Sequence, residues 1–243
     1  STRDIVKRAT TVLTVSEFCK REIVELYGAD PSRIQVTPLG IDHEHFQPAS
    51  REEQEDVLQA LQLSQPFFLF IGRIEDKKNV GLLVEAFHRY KQRRGEGDPM
   101  QLVLAGRSGE GSDGIRRAAE AGVGRDAIRF VDYLPEDLKP GLLSAATAYI
   151  QPSWYEGFGL PPLEAMACGT PVLSSNAASL PEVVGEGNAL FFPPDQAEGL
   201  ENALVQIVDD DATRDRLSLR GGEWVKRFTW EATARQTLSA LTS

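Results

Sequence analysis

Short apolar runs alternate with segments of helical periodicity along the whole chain. Runs rich in β-branched and aromatic residues predict strands at 12–15, 34–37, 67–71, 102–105, 128–131, 148–150, 172–174 and 189–192. Apolar residues at helical spacing, such as Leu83, Ala86, Phe87 and Tyr90, predict a helix that begins at Val80. Further helices are predicted over about 51–61, 113–121, 136–145 and 160–168, with two or three more after the last strand.

Strands that are apolar on both faces and separated by helices are typical of a parallel sheet covered on both sides. Right-handed crossovers make such a sheet doubly wound, and it binds ligands beyond the carboxyl ends of its strands. We therefore predict an α/β fold with a doubly wound, Rossmann-like parallel sheet. Functional residues are expected after Ile71, Ala105, Val131 and Ile150, where predicted strands end.

The first forty or so residues do not fit this unit. Ser16 is predicted to cap a helix that ends at Gly28, but two strands and one helix cannot bury a core of their own. They either add to the edge of the main sheet or form the tail of another domain, and the second interpretation is favoured. Residues 38–48 are polar and irregular, which makes them the best linker candidate.

Composition narrows the classes of partner. The sequence contains 26 Lys and Arg residues, 36 Asp and Glu residues, and no dense basic cluster. This balance of charge argues against a nucleic-acid partner. No apolar run approaches the roughly 18–20 residues of a membrane span, and no signal peptide is recognised. Cys19 and Cys168 are far apart, so neither a disulfide framework nor a cysteine zinc site is expected. We expect an acidic, soluble, cytoplasmic protein.

The segment after the strand at 67–71 carries positive charge at a strand end. Gly72 permits a tight exit, and Asn79 is predicted to cap the next helix. Arg73 and Lys78 place two cations where a diphosphate would need charge compensation. From this loop alone, a solvated loop without a ligand is an equal alternative.

A second strand-to-helix segment, residues 154–171, is more informative. Gly157 and Gly159 expose backbone N–H groups, and Pro161 or Pro162 can occupy the first helical position without loss of a needed donor. A helix N-terminus exposed in this way can bind a phosphate. The segment therefore predicts an anion-binding turn.

Two carboxylates flank this turn. Glu156 precedes the helix, and Glu164 lies eight positions later within its first turns. The pair can contact different hydroxyl groups of one extended polar ligand, because each carboxylate can accept from two vicinal hydroxyls, as on a ribose. The alternative is that Glu164 only stabilises the helix dipole, which is worth about 0.3–1 kcal/mol.

The sequence from Glu156 to Val172, EGFGLPPLEAMACGTPV, resembles the nucleotide-sugar signature of the family-four retaining glycosyltransferases (glycosyl transferases group 1) of GT-B fold. Other segments that resemble this family are 15–18 with 38–42 near its interdomain linker, 72–79 in its diphosphate loop, and 179–184 after the signature. The resemblance covers the chain from about residue 10. It implies the C-terminal, donor-binding half of a GT-B architecture.

The resemblance also implies roles for individual residues. Arg73 and Lys78 would neutralise the diphosphate of a nucleotide-sugar donor as the sugar departs. Glu164 would hold the ribose hydroxyls, and Glu156 would contact the transferred sugar. Further donor contacts would come from Gly72, Gly106, Arg107, Tyr133 and Leu134, and from the turn Gly157, Phe158, Gly159 and Leu160, the last three through their amides. Trp154 and Tyr155 either line the sugar pocket or pack at the surface.

The implied reaction is metal-independent transfer of a hexose, mannose or glucose, with retention. The donor would be a UDP or GDP sugar, and the acceptor a hydroxyl of a glycan or lipid-linked molecule in polysaccharide assembly. Asp76, where many members carry Pro, is expected to weaken anion binding slightly. Residues 209–211 match the Asp-x-Asp of metal-dependent transferases, but their place between two predicted helices favours a solvated helix start. No cofactor or metal is expected.

The same resemblance divides the chain into three parts. Residues 1–45 would be a remnant of the N-terminal acceptor domain with the linker, 46–228 the nucleotide-sugar-binding domain, and 229–243 a C-terminal helix returning toward the first domain. A missing N-terminal domain or a partner chain would then complete the enzyme, and peripheral membrane association of the full enzyme is compatible with the family. The chain alone is expected to expose an apolar surface, and to bind donor without transferring sugar.

Two other functions remain open at this point. The chain could be a nucleotide-sugar-binding module or split-enzyme subunit without activity of its own. It could also be a nucleotide-sugar epimerase of the same fold, which the complete Glu156–Glu164 context disfavours.

Overall fold

The computed structural model describes residues 2–242, which form two parallel sheets. The strands are β1 Val12–Thr14, β2 Ile34–Val36, β3 Phe67–Ile71, β4 Gln101–Ala105, β5 Ile128–Val131, β6 Ala148–Gln151, β7 Val172–Ser175 and β8 Ala189–Phe192. The helices are α1 Thr2–Arg8, α2 Glu17–Tyr27, α3 Arg51–Leu61, α4 Val80–Arg94, α5 Ser112–Ala121, α6 Lys139–Ala145, α7 Leu160–Ala167, α8 Leu180–Val184, α9 Ala197–Asp209, α10 Asp211–Val225 and α11 Trp230–Thr242.

The main sheet has six parallel strands in the order β5–β4–β3–β6–β7–β8. The chain adds strands outward from β3 to β5, returns to place β6 beside β3, and continues outward to β8. The switch point therefore lies between β3 and β6, where a doubly wound sheet opens a crevice at the carboxyl ends of its strands. The predicted fold class is confirmed.

Two apolar cores cover the faces of this sheet. Successive side chains of a strand point to opposite faces, so Phe68 and Phe70 enter the core formed with α4 and α9. Phe67, Leu69 and Ile71 enter the other core, with α6 and α7. All of β3 is buried, which explains its uninterrupted apolar sequence.

The first two strands form a sheet of their own, in which β1 pairs only with β2. The alternative that they extend the edge of the main sheet is therefore wrong, and their assignment to another domain stays a prediction. Ser16 caps α2, and Gly28 ends it at φ 65°, both as predicted. Among residues 2–242, no helix combines the length and apolarity needed to cross a bilayer.

The last helix packs against the segment that leaves β2. The Thr233 hydroxyl donates to the carbonyl of Pro38 at 2.7 Å, and Ile41 pairs with Thr229. Four apolar side chains of α1, α2 and α11 are more than half exposed, namely Ile5, Leu26, Leu238 and Leu241, and a continuous apolar surface there stays a prediction. Self-association through this surface stays a prediction.

Several local predictions were wrong. Asn79 does not cap α4 with its side chain. Its backbone is left-handed (φ 56°), and its side-chain Nδ2 donates to the carbonyls of Pro152 and Pro194 instead. Leu160, not a proline, is the first residue of α7. The helix predicted over 136–145 is divided into a 3₁₀ turn, Glu136–Leu138, and α6. The short helices α1 and α8 were not predicted.

Candidate functional site

Two glycines allow β3 and β4 to end in close contact. The amide of Gly72 donates to Ala105 at 2.9 Å, and the amide of Gly106 donates to Val131 at 2.7 Å. Gly106 has φ +145°, and a Cβ there would overlap the carbonyl of Gly72. The backbone therefore turns sharply at the carboxyl ends of both strands, where Gly72 and Gly106 were expected to lie.

An ion pair joins two of the predicted residues across the switch point. The Lys78 Nζ lies 2.7 Å from Glu156 Oε1, and the two side chains are only 21% and 14% exposed. The same carboxylate oxygen accepts from Gln151 Nε2 and from Ser153 Oγ, both at 2.8 Å. Three donors therefore fix one oxygen of Glu156. Gln151 and Ser153 were not identified from the sequence, although polar residues where an apolar strand ends were a usable signal.

Tyr149 orients Gln151 within this network. Its hydroxyl donates to Gln151 Oε1 at 2.6 Å, which leaves the amide nitrogen of Gln151 to face Glu156. Burial raises the pKa of Tyr149 well above its ordinary value, and the negative charges of Glu156 and Glu164 add to the effect. Tyr149 therefore remains a protonated donor at neutral pH.

Arg73 lies in a different environment. Its side chain is 68% exposed, and its guanidinium is 3.9 Å from the carboxylate of buried Glu75. Within the described chain, no ion pair links Arg73 to Glu156, the carboxylate that pairs with Lys78. The carboxylate of Asp76 lies against Gly111, just before α5 begins.

The turn before α7 presents backbone donors. Gly159 has φ +104°, a conformation that other residues rarely adopt, and the helix starts at the next residue. Within residues 2–242, the amides of Gly157, Phe158 and Gly159 donate to no acceptor. The turn thus has the free N–H groups that the sequence predicted.

Glu164 is the fifth residue of α7. It therefore lies beyond the first turn, which is where the helix dipole stabilises a carboxylate. Burial raises the pKa of Glu164, and Lys139, whose Nζ is 4.0 Å from Oε2, opposes that rise. Glu136 raises the pKa of Glu164 further and His45 lowers it. Lys139 was not identified from the sequence, because no local pattern links the start of α6 to α7.

Residues after β4 and β5 complete the crevice. The guanidinium of Arg107 lies 5.5 Å from the centre of the Tyr133 ring, and Tyr133 is largely exposed. Leu134 is half-buried and packs against the core beside α6 and α7. The two strands are neighbours in the sheet, which explains why residues distant in sequence meet here.

Tyr155, two residues before Gly157, packs on α2. The ring of Tyr155 meets Phe18 edge-on at 5.7 Å, and its hydroxyl donates to Glu22 at 2.5 Å. This hydrogen bond is the main cause that raises the pKa of Tyr155 above its ordinary value. Tyr155 therefore packs at the surface, and both Tyr155 and Trp154 are nearly half exposed.

Residues 209–211 lie where α9 ends at Asp209 and α10 begins at Asp211. Asp210 caps α10 by accepting from the amide and the hydroxyl of Thr213. In the described part of the chain, no group of three or more His, Cys, Asp and Glu residues is placed to hold a metal ion. Metal independence itself stays a prediction.

Two family models match the chain. Residues 51–224 match the model described as glycosyl transferases group 1, and residues 2–45 match glycosyltransferase family 4. The O-antigen chain mannosyltransferase B of Escherichia coli is 36% identical over 99% of this chain and 62% of its own length. Alpha-maltose-1-phosphate synthase of Mycolicibacterium smegmatis is 33% identical over 97% of this chain and 64% of its own length. The chain thus spans somewhat less than two thirds of these relatives.

Solved structures share the fold. Sucrose-phosphate synthase from Thermosynechococcus elongatus superimposes with a TM-score of 0.83 at 29% identity, over 99% of this chain and 60% of the other. Anabaena HepE, in complex with UDP and glucose, gives a TM-score of 0.88 at 19% identity, over 99% of this chain and 65% of the other.

Proposed function

Because the chain belongs to the glycosyl transferases group 1 family, we propose that it is the donor-binding part of a retaining hexosyltransferase. The enzyme transfers a hexose from a nucleoside diphosphate sugar to a hydroxyl of a glycan or lipid-linked acceptor, without a metal. The observation that carries this proposal is the crevice at the strand ends. There the Lys78–Glu156 pair and the free amides of the turn follow the neighbouring strands β3 and β6, and the largely buried Glu164 lies on α7.

In this proposal, the positive groups bind the diphosphate. Arg73 is exposed and can move toward a ligand, whereas Lys78 is already fixed by Glu156. The amides of Phe158 and Gly159 add donors at the positive end of the α7 dipole. Together they offset the charge that develops on the leaving diphosphate, so the charge compensation needs no divalent ion.

The carboxylates bind hydroxyl groups. Glu156 Oε1 is held by three donors, so Oε2 is the oxygen left to accept from the transferred sugar. Glu164 accepts from the ribose hydroxyls, and Lys139 favours its ionised form. Arg107 and Tyr133 border the base together with Leu134.

The relatives support a hexose donor. One is a mannosyltransferase, and one structural neighbour was solved with UDP and glucose. Mannose and glucose are therefore the sugars we propose. Because those relatives are longer than this chain, we assign the acceptor side to an N-terminal domain that residues 1–45 join, with α11 returning toward it.

The test combines donor binding with the stereochemistry of transfer. We expect the chain to bind GDP-mannose or UDP-glucose in the presence of EDTA, observed by ligand NMR. Once an acceptor domain is supplied, transfer should give a product with the same anomeric configuration as the donor. An inverted product contradicts retention, and binding that disappears in EDTA contradicts the metal-free mechanism. Donor binding without transfer in the completed assembly favours a non-catalytic binding module.

A further inference from the structure

The carbonyls of residues 156–158, in the turn before α7, each lie within hydrogen-bond distance of a serine hydroxyl from another element. The Ser16 hydroxyl, at the N-terminus of α2, donates to Gly157 at 2.7 Å. The Ser179 hydroxyl, just before α8, lies 2.8 Å from the carbonyl of Glu156 and 3.0 Å from that of Phe158. Both serines are fully buried.

The proton of Ser16 is committed to this contact. Its oxygen accepts from the amide of Cys19 at 3.1 Å as the cap of α2, which leaves the hydroxyl proton for Gly157. The Cys19 thiol lies 3.3 Å from the same carbonyl and adds a weaker contact. The carbonyl of Gly157 is therefore fixed by Ser16 and Cys19, which belong to the β1–β2 unit (β1, α2 and β2, residues 12–36) and not to the main sheet.

A trans peptide points its N–H opposite to the preceding carbonyl. The carbonyls of Glu156 and Phe158 point to Ser179, so the amides of Gly157 and Gly159 point away from it. By the same geometry, the amide of Phe158 points away from Ser16. These are the amides that donate to no acceptor within residues 2–242.

Ser16 and Ser179 thus form a clamp on the turn, and the helices beside them, α2 and α8, are joined to each other. Glu182 on α8 accepts from the amides of Glu17 and Phe18 at 2.7 and 3.1 Å, so the first turn of α2 is fixed to α8. The turn is therefore held between two elements whose own separation is fixed.

We propose that Ser16 and Ser179 are positioning residues for donor binding, which orient the turn so that its amides meet the diphosphate or sugar oxygens. This inference rests on the proposed function. It makes the β1–β2 unit part of the donor site through Ser16, although Ser16 touches no donor group itself.

The test compares Ser16→Ala and Ser179→Ala with two matched controls. Ser50→Ala also removes a helix cap, that of α3, and Ser218→Ala also removes a hydroxyl bonded to a carbonyl, that of Gly169. Neither control residue contacts the turn. Calorimetry gives the Kd of UDP, GDP or ADP, whichever binds, and of the matching nucleoside.

We expect each clamp variant to weaken diphosphate binding about tenfold and to leave nucleoside binding unchanged, since the amides face the phosphates or sugar. Ser16→Thr, which keeps the hydroxyl, should restore wild-type binding, and the controls should bind normally even where they unfold more easily. Equal loss for diphosphate and nucleoside, or no loss, overturns the inference.

A measurement on the wild-type chain covers the case of a variant that does not fold. Titration with inorganic pyrophosphate, followed by ¹⁵N-resolved NMR, should shift the amide signals of Phe158 and Gly159. Unmoved amide signals under saturating pyrophosphate overturn the clamp. If the wild-type chain binds no nucleoside diphosphate and no pyrophosphate, the proposed function itself fails.

Discussion

Replacement of Lys78 by Met separates the structural and the binding contributions of the ion pair. The substitution keeps most of the side-chain volume but removes the ammonium 2.7 Å from Glu156. Glu156 would then keep two donors, Gln151 and Ser153, for a carboxylate that is 14% exposed. The variant therefore leaves a mostly buried charge without its counter-ion.

The expected loss of stability follows from that burial. Removal of one partner of a buried pair costs about 3–5 kcal/mol, and the two remaining donors bring the expected loss to about 2–3 kcal/mol. Loss of a charged hydrogen bond to the diphosphate should cost a further ~1.5–3 kcal/mol of binding energy, or about 10- to 150-fold in Kd.

Arg73→Met is the matched control. Arg73 is 68% exposed and 3.9 Å from Glu75, so its loss should scarcely alter stability while it weakens diphosphate binding over the same range. Urea unfolding measures the first effect, and calorimetric titration with a nucleoside diphosphate measures the second.

A double variant tests the reasoning itself. In Lys78→Met with Glu156→Gln the buried charge is gone, so part of the lost stability should return. The account is refuted if the double variant is no more stable than Lys78→Met, or if Lys78→Met unfolds and binds like the wild type.

Three further changes probe the ribose and strand-end regions. Glu164→Gln should abolish the preference for a ribonucleotide over its 2′-deoxy analogue, and a wild type without that preference removes Glu164 from the ribose role. Lys139→Met should raise the pKa of Glu164 further, because Lys139 opposes the effect of burial. As the pH falls, the variant should therefore lose its discrimination of the 2′-hydroxyl at a higher pH than the wild type does. An unchanged pH profile would exclude this coupling. Gly106→Ala should destabilise the chain by at least ~1–3 kcal/mol in urea unfolding, because its Cβ would overlap Gly72, and normal stability would show that the backbone is not so tightly placed.

Local sequence predicted most elements because their requirements are local. A strand buried on both faces must be apolar throughout, as β3 is. The capping box of Ser50 and Glu53 marks the start of α3, whose predicted span agrees with the structure. Helix α8 has five residues, too few to show a period, so the pattern could not reveal it.

The site was predictable in location but not in its contacts. The rule for parallel sheets placed ligand-binding residues after the strands, and the loops carrying Arg73, Arg107 and Glu156 do follow strand ends. The pairing of Lys139 with Glu164, and of Ser16 with Gly157, depends on how helices from distant parts of the chain pack. No local pattern encodes such contacts.

Nucleotide binding by the chain itself is the central claim, and calorimetry tests it directly. The wild-type chain is titrated with UDP, GDP and ADP, each free and as its sugar conjugate, with EDTA present throughout. We expect at least one diphosphate to bind at a single site in EDTA, and to lose about 10- to 150-fold in affinity in Arg73→Ala. Absence of binding for all three diphosphates at millimolar concentration, or equal affinity in Arg73→Ala, would contradict the account.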